Sequence, residues 1–294
     1  MGEGKGVCEN MRIVCLVENT LGNTLCRSEH GLSIYIESNQ HFYLVDVGAS
    51  DLFLYNAKIL DVDLTKVETL FLSHGHYDHG GGILDFHKIN PMAKIVMQKS
   101  ALGDYWHKSS SVEKYIGLNP KIKELANVVL VKQDGDFDSD NIQIFTLKNK
   151  KQEEFKLWPE GNKALKEKQE NAFVQDSFSH EQYIVLKENQ KNILISGCAH
   201  NGILNILEEY HQRYKENPDI IISGFHMRKK EGYTETDFDV IRDTAWELKK
   251  TGILCYTGHC TGEEPYRVMK EIMGDKLKYL HCGDVIDIAA SKEE

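Results

Sequence analysis

The sequence has no apolar run approaching the roughly 18–20 residues that would cross a membrane as a helix, so a soluble chain with no membrane partner is expected. Basic residues are outnumbered as well. The 35 Lys and Arg stand against 45 Asp and Glu, and a formal net charge of −10 argues against a broad nucleic-acid surface. The 7 cysteines (Cys8, Cys15, Cys26, Cys198, Cys255, Cys260, Cys282) are odd in number, scattered and never spaced as CxxC. Neither a disulfide framework nor a zinc ribbon is therefore expected, and a reducing cytoplasm fits. The first ten residues lack the apolar segment of a secretory signal and read as a flexible tail or added remnant ahead of Met11. No internal repeat is found.

What the chain does have is an alternation of short β-rich runs with helical patterns. Runs at 12–18, 32–36, 42–47, 67–72 and 94–98 read as the strands of a first half. Those at 127–132, 142–147, 182–187, 192–197, 219–223 and 252–257 read as a second half. Helical spacing is clearest over 234–250, where Phe238, Ile241, Ala245, Trp246 and Leu248 recur on a charged background. Weaker helices are predicted over 50–60, 80–89, 201–214 and 262–273. The alternation predicts a layered α/β protein, with residues 11–294 as one domain. A charged stretch at 148–172, interrupted by Trp158-Pro159, reads as an insertion, either a lid over a site or a solvated surface element.

The densest chemistry lies in the segment His74-Gly75-His76-Tyr77-Asp78-His79, which follows the apolar run 67–72 and Ser73. Alternate residues of an extended chain face the same way, so His74 and His76 can present two imidazoles to one ion. A helix begun after Gly75 would place Asp78 and His79 in its first turn, within reach of a second ion. Imidazole with carboxylate suits zinc, iron or manganese and leaves room for water. Farther on, His200 follows the strand 192–197, His226 the strand 219–223 and His259 the strand 252–257.

The run Ser73-His74-Gly75-His76-Tyr77-Asp78-His79-Gly80-Gly81 resembles the HxHxDH signature of the metallo-β-lactamase superfamily. Upstream, Leu44-Val45-Asp46-Val47-Gly48 is similar to that family's strand ending in Asp and Gly, which makes Asp46 a buried support for the metal loop. Gly197-Cys198-Ala199-His200-Asn201-Gly202, Ser223-Gly224-Phe225-His226 and Thr257-Gly258-His259-Cys260-Thr261-Gly262 resemble the branch of dihydropterin-aminobenzene-ribofuranosyl-phosphate synthases. The resemblance implies a four-layer αββα sandwich with the metal site at one edge of the sheets. Many superfamily members bridge their ions with an Asp; the comparable turn here carries Cys198.

The expected metal ligands are His74, His76 and His200 on one ion and Asp78, His79 and His259 on the other. Asp176 and His180 are further candidates outside this set. Two divalent ions are expected, zinc first, with iron or manganese as the others. The resulting reading is a metal-dependent hydrolase that uses an activated water on a small, phosphorylated or phosphodiester molecule. Asp78 would orient the water or take its proton, and His226 would stabilise developing charge or protonate a leaving group. Arg228, Lys229 and Lys230, with the helix start at Thr261-Gly262, are candidates for binding phosphate, and Tyr105, Trp106 and His107 for stacking on a heterocycle. Two other classes stay open: a synthase-like transferase and a non-hydrolytic di-iron redox or ligand-binding module. Oligomeric state is left open.

Overall fold

The computed structural model describes residues 11–38, 40–132, 141–147, 156–170, 172–188, 190–230 and 232–288. The expected tail at 1–10 and the first part of the charged insertion, 148–155, lie outside them. The strands are β1 (Met11–Val17), β2 (Ser33–Ser38), β3 (His41–Val45), β4 (Thr69–Phe71), β5 (Lys94–Gln98), β6 (Tyr105–Lys108), β7 (Glu113–Tyr115) and β8 (Val128–Val131). They continue as β9 (Ile142–Phe145), β10 (Leu165–Gln169), β11 (Ala172–Gln175), β12 (Tyr183–Glu188), β13 (Lys191–Ser196), β14 (Ile220–Ser223), β15 (Leu254–Thr257), β16 (Leu277–Tyr279) and β17 (Val285–Ile288). The helices are α1 (Leu52–Ile59), α2 (Tyr77–Gly80), α3 (Ile83–Ile89), α4 (Ile203–Tyr214), α5 (Glu235–Thr251) and α6 (Glu263–Met273).

Two large sheets organise the chain. One runs β17-β1-β2-β3-β4-β5-β8, and the other runs β16-β15-β14-β13-β12-β9. Period-two alternation decides which side chains meet between them. Ile13 and Cys15 of β1, Ile34 and Ile36 of β2, Ile184 and Leu186 of β12, and Ile193 and Ile195 of β13 share one buried cluster between the sheets. Their neighbours Val14, Leu16 and Tyr35 face the other way and pack with Phe53 of α1 and Phe86 of α3. On the far side, Tyr183, Val185 and Leu194 pack with Ile206 of α4, Ala245 of α5 and Met269 of α6. Each sheet is thus covered by helices on one face and by the other sheet on the second, which is the expected αββα layering.

The expected division into halves needs two corrections. β8, read with the second half, pairs in parallel with β5 at the edge of the first sheet. β17, for which no strand was expected, returns to pair antiparallel with β1. A third sheet, β11-β10-β6-β7, was also unexpected. Its strands are short and carry many Lys and Glu, so they lack the apolar run that marks a buried strand. β10 lies within the described part of the charged insertion, β11 begins at its last residue, and 160–164 just before β10 form a turn of 3₁₀ helix. Among the described residues, no helix is long and apolar enough to cross a membrane.

Candidate metal centre

The expected ligand histidines follow strands of the two large sheets: His74, His76 and His79 come after β4, His200 after β13 and His259 after β15. The first-half group follows β4. Asp46, fully buried just after β3, accepts the Ser73 N–H at Oδ1 (2.7 Å) and the Ser73 hydroxyl at Oδ2 (2.7 Å). Oδ2 also accepts from Nδ1 of His79 at 2.6 Å. Because Ser73 gives its only hydroxyl proton to Asp46, its oxygen must accept from His74 Nδ1, 2.9 Å away. Both imidazoles are therefore protonated at Nδ1 and turn Nε2 toward the interior of the site. Gly197 lets this layer meet the end of β13, since a Cβ there would overlap the Ser73 hydroxyl.

The second-half histidines are held from more distant parts of the chain. His200 donates its backbone N–H to Glu181 Oε1 (2.6 Å), and its ring and carbonyl both contact Asn162. His259 donates its N–H to Glu18 Oε1 (2.5 Å), and its ring and carbonyl both contact Asn19. Positive backbone φ at Asp46 (59°), Ala199 (49°), His226 (51°) and His259 (49°) marks the same edge. Such conformations are unfavourable for non-glycine residues and cluster where side chains must be aimed.

These turns converge. The ligand atoms of His74, His76 and His200 lie within 4.8 Å of one another. Nε2 of each is buried and has no hydrogen-bond partner. His259 Nε2 lies 3.2 Å from His79 Nε2 and 3.4 Å from Asp78 Oδ2. Since both rings carry their proton on Nδ1, two lone pairs would face each other across 3.2 Å unless a proton or a cation lies between them. Burial works against a charge on His79, but the Asp46 carboxylate outweighs it and raises the ring to about 9, so a proton can fill that role. His74 and His200 go the other way, pushed well below the usual histidine range by burial and by neighbouring imidazoles. Asp78 stays well below the usual carboxylate range; burial opposes this, and the close His259 and His30 rings prevail.

The six expected ligands thus lie near one another: His74, His76 and His200 form one close set, and His259 lies against both His79 and Asp78. Cys198 lies between those groups, with Sγ 3.2 Å from His79 Nε2, and its thiol forms close sets with His74 and His79, with His200 and His226, and with His259 and Cys260. His226 packs its ring 4.2 Å from that of His200 and leaves a buried Nδ1 without a partner. His180 does not share this arrangement. Its Nδ1 accepts the Gly75 N–H (3.0 Å), so Nε2 bears the proton and donates to Asp176 Oδ2 at 3.1 Å. That ring has no lone pair to offer. Asp176 is buried with Oδ2 3.7 Å from His76 Nε2.

At the rim, His30 accepts from Arg228 at Nδ1 (3.3 Å) and contacts Asp78 Oδ2 through Nε2 at 3.2 Å. Lys229 is bound to Asp237 instead of facing the site. The aromatic group divides. Tyr105 is buried beside His76 and His180, and Trp106 packs against Tyr115 and Phe173. Glu18, Asn19, His30, Asn162 and Glu181 were not singled out by sequence reasoning. Each acts on a partner far along the chain and has no local signature.

The described cysteines (Cys15, Cys26, Cys198, Cys255, Cys260, Cys282) form no disulfide. A family model described as the metallo-beta-lactamase superfamily matches residues 28–147. The chain is 28% identical, over 96% of its length and 98% of the relative's, to 7,8-dihydropterin-6-methyl-4-(beta-D-ribofuranosyl)-aminobenzene-5'-phosphate synthase of Methanocaldococcus jannaschii. It is 27% identical to a second protein of that organism, the uncharacterized MJ0448, over 94% of this chain and 100% of that one. Among solved structures, Tm1679, described as a metal-dependent hydrolase of the beta-lactamase superfamily, aligns with a TM-score of 0.78 at 26% identity, covering 95% of this chain and 99% of that one. Proteins of this superfamily bind divalent metals and are usually metal-dependent hydrolases acting on small molecules. Family model, fold and a common edge of strand-end histidines agree: residues 28–147 match the metallo-beta-lactamase superfamily, and the chain shares the fold of its members.

Proposed function

We propose that this protein is a metal-dependent hydrolase of a small phosphorylated molecule, with His74, His76 and His200 holding one ion and Asp78, His79 and His259 the other. The observation that carries this reading is the trio of buried Nε2 atoms on His74, His76 and His200 that have no hydrogen-bond partner and share one small space. Buried polar atoms are rarely left unpaired, and three converging lone pairs suit a cation. Cys198 lies close to members of both ligand groups, and a thiol beside imidazoles would favour zinc or iron over manganese. When bound, two such ions act as Lewis acids and make water a usable nucleophile near neutral pH.

The protein's own groups supply the rest. Asp78, mostly buried and held in its ionised form, is placed to orient a water or accept its proton. His226, half-buried beside His200, is the group placed to donate to a leaving oxygen. Arg228 on the rim, hydrogen-bonded to His30, provides a cation for a substrate phosphate. The unpaired cysteines support a reducing compartment such as the cytoplasm.

A second reading, a synthase-like transferase, is favoured by the relative of that name, whose named product also carries a 5'-phosphate. One experiment tests the hydrolase reading. Protein purified without oxygen is analysed for metal content and assayed with a phosphodiester model substrate. Two zinc ions per chain and turnover that Asp78→Ala lowers by about a thousandfold, with the fold retained, support hydrolysis. Turnover unchanged in Asp78→Ala rejects the site. An iron pair whose EPR signal changes on reduction, with no turnover, favours the redox class instead.

A further inference from the structure

The turns that carry His200 and His259 are built alike from unrelated pieces of sequence. Each follows a strand of the second sheet, β13 or β15, and each ends at a positive-φ glycine, Gly202 (83°) or Gly262 (80°), that opens α4 or α6. Each histidine is then held at three points. A buried glutamate accepts the backbone N–H: Glu181 for His200 at 2.6 Å, and Glu18 for His259 at 2.5 Å. An asparagine Nδ2 donates to the histidine's own carbonyl: Asn162 at 2.7 Å and Asn19 at 3.0 Å. The same asparagine sets Oδ1 against the ring Nδ1, at 2.8 Å for Asn162 and 3.0 Å for Asn19.

This geometry leaves no freedom in the protons. A backbone carbonyl can only accept, so each asparagine must turn Nδ2 toward it, and that forces Oδ1 toward the ring. An amide oxygen also only accepts, so the ring proton must reside on Nδ1 and the lone pair on Nε2. Without such a partner, a neutral imidazole ordinarily prefers its proton on Nε2, which would block that nitrogen.

We propose that Asn162 and Asn19 are positioning residues that fix the tautomers of His200 and His259, so that Nε2 of each faces the metal cradle bare, while Glu181 and Glu18 hold the turns. The contrast with His180 supports the assignment. Its Nδ1 faces a backbone N–H, and its Nε2 carries the proton, so neighbouring buried histidines are set to opposite tautomers by different partners. Asn162 comes from the charged insertion, which is bolted to α4 by reciprocal hydrogen bonds between the Lys156 backbone and Asn205. The insertion thus acts as a fixed wall that sets a histidine proton. The effect on metal affinity rests on the ligand reading above, whereas the tautomers do not depend on it.

The test uses the full chain, stripped of metal and labelled with 15N in its histidine rings. Long-range proton–nitrogen correlation spectra read the tautomer of each ring, with His200→Gln and His259→Gln assigning the signals. In wild type, both rings should carry Nδ1–H. Asn162→Leu and Asn19→Leu should each move its own histidine toward Nε2–H and weaken zinc binding, measured against a chromogenic chelator, by roughly tenfold to a hundredfold. Asn162→Asp and Asn19→Asp keep an acceptor at Nδ1 and should retain tautomer and affinity. Wild-type rings carrying Nε2–H would overturn the proposal, as would Leu variants that change neither tautomer nor affinity. If the tautomers switch as expected but zinc binds neither wild type nor variant, the positioning role stands and the metal reading falls. The wild-type spectrum decides the matter even if a Leu variant fails to fold.

Discussion

The two halves of the metal centre solve one problem in different ways. In the first half, residues 73–79 form a single stretch, and one carboxylate, Asp46, orders it by binding Ser73 twice and His79 once. In the second half, His200 and His259 lie far apart in sequence, and each needs its own glutamate and asparagine. Contiguous ligands can share a support. Dispersed ligands cannot, so their supports multiply and come from wherever the fold brings a polar side chain near.

This contrast predicts unequal sensitivity. Asp46→Ala removes the acceptor shared by a buried N–H, a hydroxyl and a ring. It should lower stability by about 3–5 kcal/mol, read from denaturant unfolding, because breaking a buried charged pair strands its partner. If Asn19→Ala, which removes neutral rather than charged hydrogen bonds, proves equally destabilising, the idea of one shared support against several separate ones fails. Gly197→Ala probes the seam where the halves meet. The added Cβ must displace Ser73 and should cost about 1–3 kcal/mol while weakening zinc binding. Weakened binding without a stability loss would mean that the seam shapes the site alone. The smallest effect is expected outside both halves. Thr234→Ala removes the capping box at the start of α5 and should cost about 1 kcal/mol with zinc affinity unchanged.

The same contrast explains what was legible in the sequence. His74, His76, Asp78 and His79 stand out because ligands adjacent in space are also adjacent in the chain. His200 and His259 could be anticipated because each follows a short apolar strand, β13 or β15, and lies just ahead of a glycine. The holding residues had no such signal. Asn162 lies in a stretch whose lysines and glutamates suggest solvated surface, and Asn19 is 240 residues from the ring it binds. The short strands β6, β7, β10 and β11 were missed for a related reason. They are specified by one another and by the rim they build, so no apolar periodicity announces them. Cys198 was noticed only as a departure from an expected Asp, and its place between the two ligand groups emerges from the convergence of four loops.

The grip of Glu18 and Asn19 on His259 also bears on how the protein is made. A ribosome delivers the β1 end of the chain long before the β15 turn, and a contact spanning about 240 residues closes only when nearly all the intervening chain is available. The HxHxDH segment emerges early but cannot complete its pocket until β15 docks beside the end of β1. On the proposed ligand set, ion capture would thereby wait for the last stage of assembly, and a truncated nascent chain would hold only a fragment of the cradle.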